Sequence, residues 1–335
     1  MDDDSIENEN MERLRNLPLR SEEIGYSPDE MLQCGRCKKP NAPTRSSCLY
    51  CGDPLEGGRP ETRIDFHALE LWESGFNVVI TDARDADVDR AVTALKTLFA
   101  VEPALFRPVL EAGKILPVAR VESKDHALIV SEALAEAGFE TTIVADAELM
   151  ASTPIVRLRG IKIDGGELVL EIFNTGENVD VRSTDLELIV EGRILEARTE
   201  SIEKRKRGAR KTLSESSTSA DTPVIDLYTS GNSTGFRITP NGFDFSCLGA
   251  GKSLVAANNM RGVAASLRAI APAAKFVDDY GDIRLLLELV WPSESRSDAL
   301  GFQRSGFARK ELSRVASTNN SLQLLRYSRL CRHLR

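Results

Sequence analysis

Between residues 76 and 144 the apolar positions switch between a continuous run and a helical period. Phe76-Asn-Val-Val-Ile-Thr81 is apolar enough for a buried strand, and Val88, Ala91, Val92, Leu95, Leu98 and Phe99 then return at the spacing of one helix face, with Asp85 or Asp87 at the cap. Pro103 opens a second helix with Leu105, Phe106, Val109 and Leu110 on its apolar side, bent at Pro108 and ended by Gly113. Residues 115–121 form a second strand. Ser123 caps a third helix carrying Leu128, Val130, Leu134 and Ala137, Gly138 stops it, and residues 139–144 are a third strand. The order is β-α-α-β-α-β, within a domain bounded by residues 64–146.

From Ile155 the period becomes two. Ile155-Val-Arg-Leu-Arg-Gly-Ile-Lys-Ile163 alternates apolar and basic residues, Asp164-Gly165-Gly166 turns the chain, and Leu168-Val-Leu-Glu-Ile-Phe173 answers it. Residues 179–182 and 186–197 continue an antiparallel meander; 224–229 and 235–239 make a second hairpin, and 243–247 a further strand. Residues 253–270 form a helix with Val263, Leu267 and Ile270 on one face, and 283–290 a second one. The expectation for 153–292 is therefore an antiparallel β-rich domain with C-terminal helices, interrupted at 203–222 by a flexible basic and Ser-rich loop.

The two ends differ in charge. Residues 1–30 open with Asp2, Asp3, Asp4, Glu7, Glu9 and Glu12, and are expected to be disordered apart from a short helix around 11–17; 293–335 carries Arg304, Arg309, Lys310, Arg314, Arg326, Arg329, Arg332 and Arg335 and is expected to be a basic, largely disordered tail. Within that tail, leucines interleaved with arginines at 322–334 have the pattern of a short basic amphipathic helix able to dock back on the body. The net charge of -8 and 28% charged residues belong to an ordinary soluble protein, not to a general nucleic-acid binder. No apolar run approaches 18 residues, so no membrane span is expected, and no apolar signal segment stands at the start. Cys247 and Cys331 have no partner in sequence, which fits a reducing cytoplasm.

The strongest chemical signal is Cys34-Gly-Arg-Cys37 with Cys48-Leu-Tyr-Cys51-Gly52. Two Cys-x-x-Cys pairs ten residues apart place four thiolates at the corners of a tetrahedron, the arrangement zinc requires. A disulfide framework suits a small secreted chain, and a redox site needs one pair at the start of a helix after a strand. Here Lys38-Lys39-Pro40-Asn41-Ala42-Pro43 separates the pairs and Gly52-Asp53-Pro54 follows, both turn-rich. One structural zinc in a module of residues 31–58 is the expectation, with all four positions filled and none left for a catalytic water. Gly57-Gly58-Arg59-Pro60 then reads as a linker, and a helical turn through Phe66, Leu69 and Trp72 ends at Gly75.

The residues Cys34, Cys37, Asn41, Pro43, Cys48, Cys51 and Gly52 resemble the short zinc ribbon found at one end of many bacterial multidomain proteins, a resemblance over about twenty residues that implies zinc and no particular partner. The Asn spacing is also similar to the Ran-binding-protein finger, whose expected Trp is Leu32 here. Asn77-Val-Val-Ile80, Ser123-Lys124-Asp125 and Glu136-Ala137-Gly138 in their order resemble the C-terminal domain of the bacterial ribosomal stalk protein, and residues 78–99 resemble the Clp-protease adaptor for N-degron substrates about as well. Both are docking modules, so the resemblance implies docking without catalysis. The stalk domain's Gly-Leu-Gly-Leu-Lys run is replaced by Leu98-Phe99-Ala100-Val101-Glu102-Pro103, and of the adaptor's acidic pocket Asp82 alone is matched. At the level of architecture, 153–292 resembles pleckstrin-homology-like domains.

Two motifs imitate catalytic ones. Gly231-Asn-Ser233-Thr-Gly235 fits Gly-x-Ser-x-Gly, but the following Phe236-Arg-Ile-Thr is strand-like where a nucleophile elbow needs a helix. Gly249-Ala-Gly251-Lys252-Ser253 lies between a strand and a helix as a phosphate loop does, yet Ser246 stands where that loop needs its first glycine, and capping is the simpler reading. His67, His126 and His333 form no triad or metal pattern. The fold class expected is multidomain α+β, and the function a non-catalytic zinc-binding adaptor with a protein partner; a small-molecule substrate is not expected. The alternative is a nucleic-acid- or ribosome-associated protein using the zinc ribbon and the cations Lys204, Arg205, Lys206, Arg207, Arg210 and Lys211, which otherwise read as a solvated charge run. A third alternative is a nucleotide-binding enzyme.

Overall fold

The computed structural model describes residues 31–41, 48, 50, 51, 55, 69, 73–99, 102–150, 153–206, 209–306 and 309–335. The acidic segment 1–30, the linker 57–60, most of the turn around Phe66 and Trp72, His67 and Arg207 lie outside the described residues. The chain divides into two compact units, residues 1–63 and 64–335.

In the first unit β1 (Leu32–Gln33) pairs antiparallel with β2 (Pro40–Asn41), Leu32 facing Asn41 and Gln33 facing Pro40. Cys34, Cys48 and Leu55 are buried, with the half-buried Cys37 and Cys51 packed against them, and these form its apolar cluster among the described residues.

The second unit is mixed α/β. Its first part runs β3 (Phe76–Asp82), α1 (Val88–Phe99), a 3-10 turn (Pro103–Leu105), α2 (Arg107–Glu111), β4 (Leu116–Val121), α3 (Lys124–Ala135) and β5 (Glu140–Ala145). β3 is the middle strand of an antiparallel sheet ordered β4-β3-β5. A middle strand covered on both faces has no solvent side, which is why Val78, Val79 and Ile80 are buried in succession. α1 seals the sheet with the expected stripe of Ala91, Val92, Leu95, Leu98 and Phe99, and Ser123 caps α3 by accepting the amide of His126 at 3.2 Å.

The second part continues through β6 (Val156–Asp164), β7 (Glu167–Ile172), β8 (Asn178–Arg182), β9 (Leu186–Lys206), β10 (Ala209–Thr229) and β11 (Asn232–Ile238). It closes with a 3-10 segment (Phe245–Gly251), α4 (Ala256–Ile270), β12 (Lys275–Val277), α5 (Tyr280–Leu287), β13 (Glu294–Gly306), β14 (Arg309–Asn319) and α6 (Ser321–His333). The sheet is ordered β13-β14-β9-β10-β11-β6-β7-β8, with β12 beside β9. It is mixed rather than antiparallel, because β11 meets β6, and β12 meets β9, in parallel. Residues 243–247, expected as a strand, enter the 3-10 segment, with the Asp244 carboxylate accepting the Ser246 amide at 3.0 Å.

Period two along β9 and β10 decides what each face touches. Ile189, Ile225 and Leu227 point with Leu158, Leu168 and Phe236 into a core closed by Met260, Val263 and Leu267 of α4. Their neighbours Leu188, Val190, Val224 and Tyr228 point the other way, into a core that also contains the β3 valines, Leu116, Trp291, Leu324 and Tyr327. Residues 64–146 and 153–335 thus share a continuous core, where the sequence suggested separate domains. A buried polar chain ties them together: the Trp291 indole donates to Asn77 Oδ1 at 2.9 Å, Asn77 Nδ2 donates to Asp146 Oδ1 at 2.9 Å, and Arg120 Nε donates to Asp146 Oδ2 at 2.9 Å.

Two regions differ from expectation for physical reasons. The supposed loop 203–222 is strand along its described length, since β9 pairs rung by rung with β10 on one side and with β14 on the other. Polar on both faces, it lacks the alternation that marks a half-buried strand. The supposed disordered tail supplies β13 and β14, and its expected short helix at 322–334 is α6, docked on the body with the whole stretch 323–330 buried. Three of its buried polar residues find partners: Ser328 shares a 2.9 Å hydrogen bond with the Tyr228 hydroxyl, Gln323 donates to the Trp291 carbonyl at 2.8 Å, and Arg329 donates to the carbonyls of Thr153 at 2.7 Å and Thr234 at 3.2 Å.

Candidate metal centre

The turn after β1 brings Cys34 and Cys37 together: the Cys34 amide donates to the Lys39 carbonyl at 3.0 Å, the Lys38 amide to the Cys34 carbonyl at 2.9 Å, and Lys38 takes a left-handed φ of 57° to allow it. Cys48 and Cys51 approach from the far side. Sγ of Cys34 lies 3.6 Å from that of Cys51, Sγ of Cys37 3.5 Å from that of Cys48, and all four sulfurs fall within 4.8 Å of one another. A metal about 2.3 Å from each of four tetrahedral sulfurs demands sulfur separations of about 3.8 Å. The cluster therefore fits a metal ion with small adjustments, and the four cysteines are free thiols rather than disulfides.

The surroundings favour thiolate. Burial pushes the Cys48 thiol up, but the amides of Tyr50 and Cys51, the Cys37 thiol and the Asn41 side chain outweigh it and bring its pKa down to about 6. Asn41, buried at the end of β2, donates from Nδ2 both to Cys48 Sγ at 3.5 Å and to the Lys39 carbonyl at 2.9 Å, while the Tyr50 amide donates to Cys48 Sγ at 3.4 Å. Asn41 was marked in the sequence as part of the ribbon pattern; its geometry makes it the residue that orients one ligand and braces the turn holding two others. The Lys39 ammonium sits 4.4 Å from the Tyr50 ring centre, adding a cation over an aromatic face beside the cluster. The remaining cysteines are different in kind: burial raises Cys247, and pushes Cys331 up to about 12, so both are protonated thiols at neutral pH.

Of the other candidates, Gly231–Gly235 runs from the β10–β11 turn into β11. Asn232 Oδ1 accepts the Thr234 amide at 2.8 Å and the Gly235 amide at 3.3 Å, and Gly235, at φ +79°, has no room for a Cβ against the Tyr228 ring. At Gly249–Ser253 the Lys252 ammonium pairs with Asp244 at 3.7 Å, and Asn259 of α4 occupies both backbone groups of Ser253, accepting its amide at 2.6 Å and donating to its carbonyl at 2.8 Å. A loop whose lysine and amide are engaged internally is built as a helix entry. His126 is half-buried at the start of α3, 3.8 Å from Glu122, and His333 lies at the end of α6.

The backbones of Lys204, Arg205 and Lys206 lie at the end of β9, and those of Arg210 and Lys211 at the start of β10. Arg304, Arg309 and Lys310, assigned from sequence to a separate tail, lie at the matching ends of β13 and β14. Only the pairing of β14 with β9 brings the two groups together, and no local pattern announces a pairing across a hundred residues. No helix among the described residues is long and apolar enough to cross a membrane. Compared with family models, with curated proteins and with solved structures, the chain gives no significant match.

Proposed function

We propose that the chain is a zinc-dependent, non-catalytic adaptor, whose N-terminal module is folded by one Zn2+ on Cys34, Cys37, Cys48 and Cys51 and presents a surface to a protein partner. The observation that carries this reading is the closed cluster of four sulfurs within 4.8 Å. Four thiolates saturate a tetrahedral ion, so the metal keeps no position for water or substrate and its binding energy goes into folding. Among the described residues its buried apolar ones are Cys34, Cys48 and Leu55, so a metal on the cysteines supplies much of what holds it. The exposed Tyr50, with the Lys39 ammonium over its ring, gives this small surface an aromatic contact of the type that protein interfaces favour.

The test pairs metal analysis with affinity recovery of the intact protein from its own lysate, in high salt and after ribonuclease. The reading expects one zinc per chain and a discrete protein partner that is lost in the Cys34→Ser, Cys51→Ser variant. Zinc well below one per chain, with Cys34 and Cys48 freely alkylated, would overturn the metal assignment. Recovery of the same partner by the cysteine variant would overturn the role given to the module.

A further inference from the structure

The buried part of the large sheet stops near Gly192 on β9 and Val224 on β10, but the strands do not. β9 runs on to Lys206, paired with β10 on one side and β14 on the other, and β14 pairs with β13. In this extension every described side chain in 195–201, 216–221, 295–298 and 314–319 is exposed or half-exposed. Residues 195–206 lengthen the sheet by about 36 Å, and four strands make it about 14 Å wide. This arm, an extension whose described side chains join no core, gains reach rather than stability.

Charge is distributed unevenly along it. At the base and middle the ions are matched: Arg193 with Asp221 at 2.9 Å, Arg284 with Asp221 at 3.2 Å, Arg198 with Glu200 at 2.8 Å and Arg296 with Asp298 at 2.8 Å. At the far end the register sets like against like. Lys204 is opposite Lys211, Arg205 opposite Arg210, and, on the other hairpin, Arg304 opposite Lys310. Segments 203–211 and 304–311 hold nine Lys and Arg against two Glu in a chain whose net charge is -8. Directly opposed like charges destabilise a β-ladder. Three such rungs on two hairpins, joined by β14 and β9 with Lys204 opposite Glu311, form a cationic end whose repulsion an external anion would relieve.

From this placement we propose that the arm's end binds the phosphodiester backbone of nucleic acid, and that both hairpins contribute: Lys204, Arg205, Lys206, Arg210 and Lys211 from one, Arg304, Arg309 and Lys310 from the other. A width of about 14 Å spans several phosphates, and cations without an aromatic platform read charge rather than sequence. The proposal does not depend on the adaptor reading.

The test measures binding of the full chain to fluorescein-labelled 20-nucleotide RNA and DNA, single- and double-stranded, by anisotropy from 50 to 200 mM salt, with anionic phosphatidylserine vesicles in parallel. For about four phosphate contacts on a duplex, affinity falls about 100-fold across that range. The RNA and DNA arms identify which backbone is preferred. Arg205→Gln with Arg210→Gln, and separately Arg304→Gln with Lys310→Gln, should each weaken binding about tenfold and flatten the salt slope by nearly 2. Arg198→Gln with Arg296→Gln removes the same charge from the middle of the arm and should leave both unchanged. Melting curves of all variants confirm that the fold is retained. The proposal fails if no nucleic acid binds at 50 mM salt, if the mid-arm variant loses as much as the end variants, if one hairpin proves dispensable, or if the vesicles alone are bound.

Discussion

Asn41 joins three parts of the metal module through one amide group, bonding the Lys39 carbonyl in the first turn and Cys48 Sγ in the second. Groups that donate to a ligating sulfur hold it in place and stabilise its charge, and removing such an outer partner typically costs 10–100-fold in metal affinity. Asn41→Ala should therefore bind zinc about tenfold more weakly in competition with a chromogenic chelator, while still binding one ion, since the four sulfurs remain. Asn41→Asp should fare worse, because a carboxylate cannot donate to sulfur and sits beside a thiolate cluster. An Asn41→Ala affinity equal to that of the parent chain would show that Asn41 is a passive member of the turn.

Where α6 lies on β9, the contact is set by a glycine. A Cβ at Gly192 would overlap Cδ1 of Leu324 and come within 2.9 Å of Cδ2. Gly192→Ala should cost about 1–3 kcal/mol in a denaturant titration, the range for overpacking a filled core, and Leu324→Ala about 2–5 kcal/mol through the cavity it leaves. In the double variant the added methyl enters space that the leucine vacates, so the two effects should sum to less than their separate values; strict additivity would mean that α6 and β9 do not meet here. This packing also shows why some elements are legible and others not. The helix over residues 88–99 reads directly from Ala91, Val92, Leu95 and Leu98, since one apolar stripe faces one core. α6 carries a stripe as well, Leu324, Tyr327, Leu330 and Leu334, which is why a short helix docking back on the body reads from 322–334; what does not read from the pattern is that Gln323, Arg326, Ser328 and Arg329 on its other faces are buried too. β10 hides for the opposite reason, its Ser216-Ser217-Thr218-Ser219 rungs being exposed on both faces. The cysteine cluster was readable because its four ligands lie within eighteen residues of chain, whereas the cationic end depends on β14 finding β9 from more than a hundred residues away.

The whole chain combines two kinds of stability. Residues 64–335 form one body with two large apolar cores, and the C-terminal helix is a structural member of it: Leu324, Tyr327 and Leu330 lie in the same core as Val78, Leu116 and Trp291. The cysteine module, by contrast, has Leu55 and the four cysteines as its apolar cluster among the described residues. Folding energy that comes from a metal is lost with the metal, while a body buried around its own side chains is indifferent to it. Calorimetry of the full chain should therefore show a main transition that survives addition of a strong zinc chelator with its midpoint unchanged, while Cys34, Cys37, Cys48 and Cys51 become open to alkylation. A chain beginning at residue 64 should melt at the same midpoint. Removal of residues 321–335 should instead abolish the main transition, because it takes Ser328 from the Tyr228 hydroxyl, the Gln323 acceptor from Tyr280 and the Gln323 donor from the Trp291 carbonyl, and opens the shared core. If the chelator collapsed both parts together, or the C-terminal truncation melted normally, this division of stability between metal and core would be wrong.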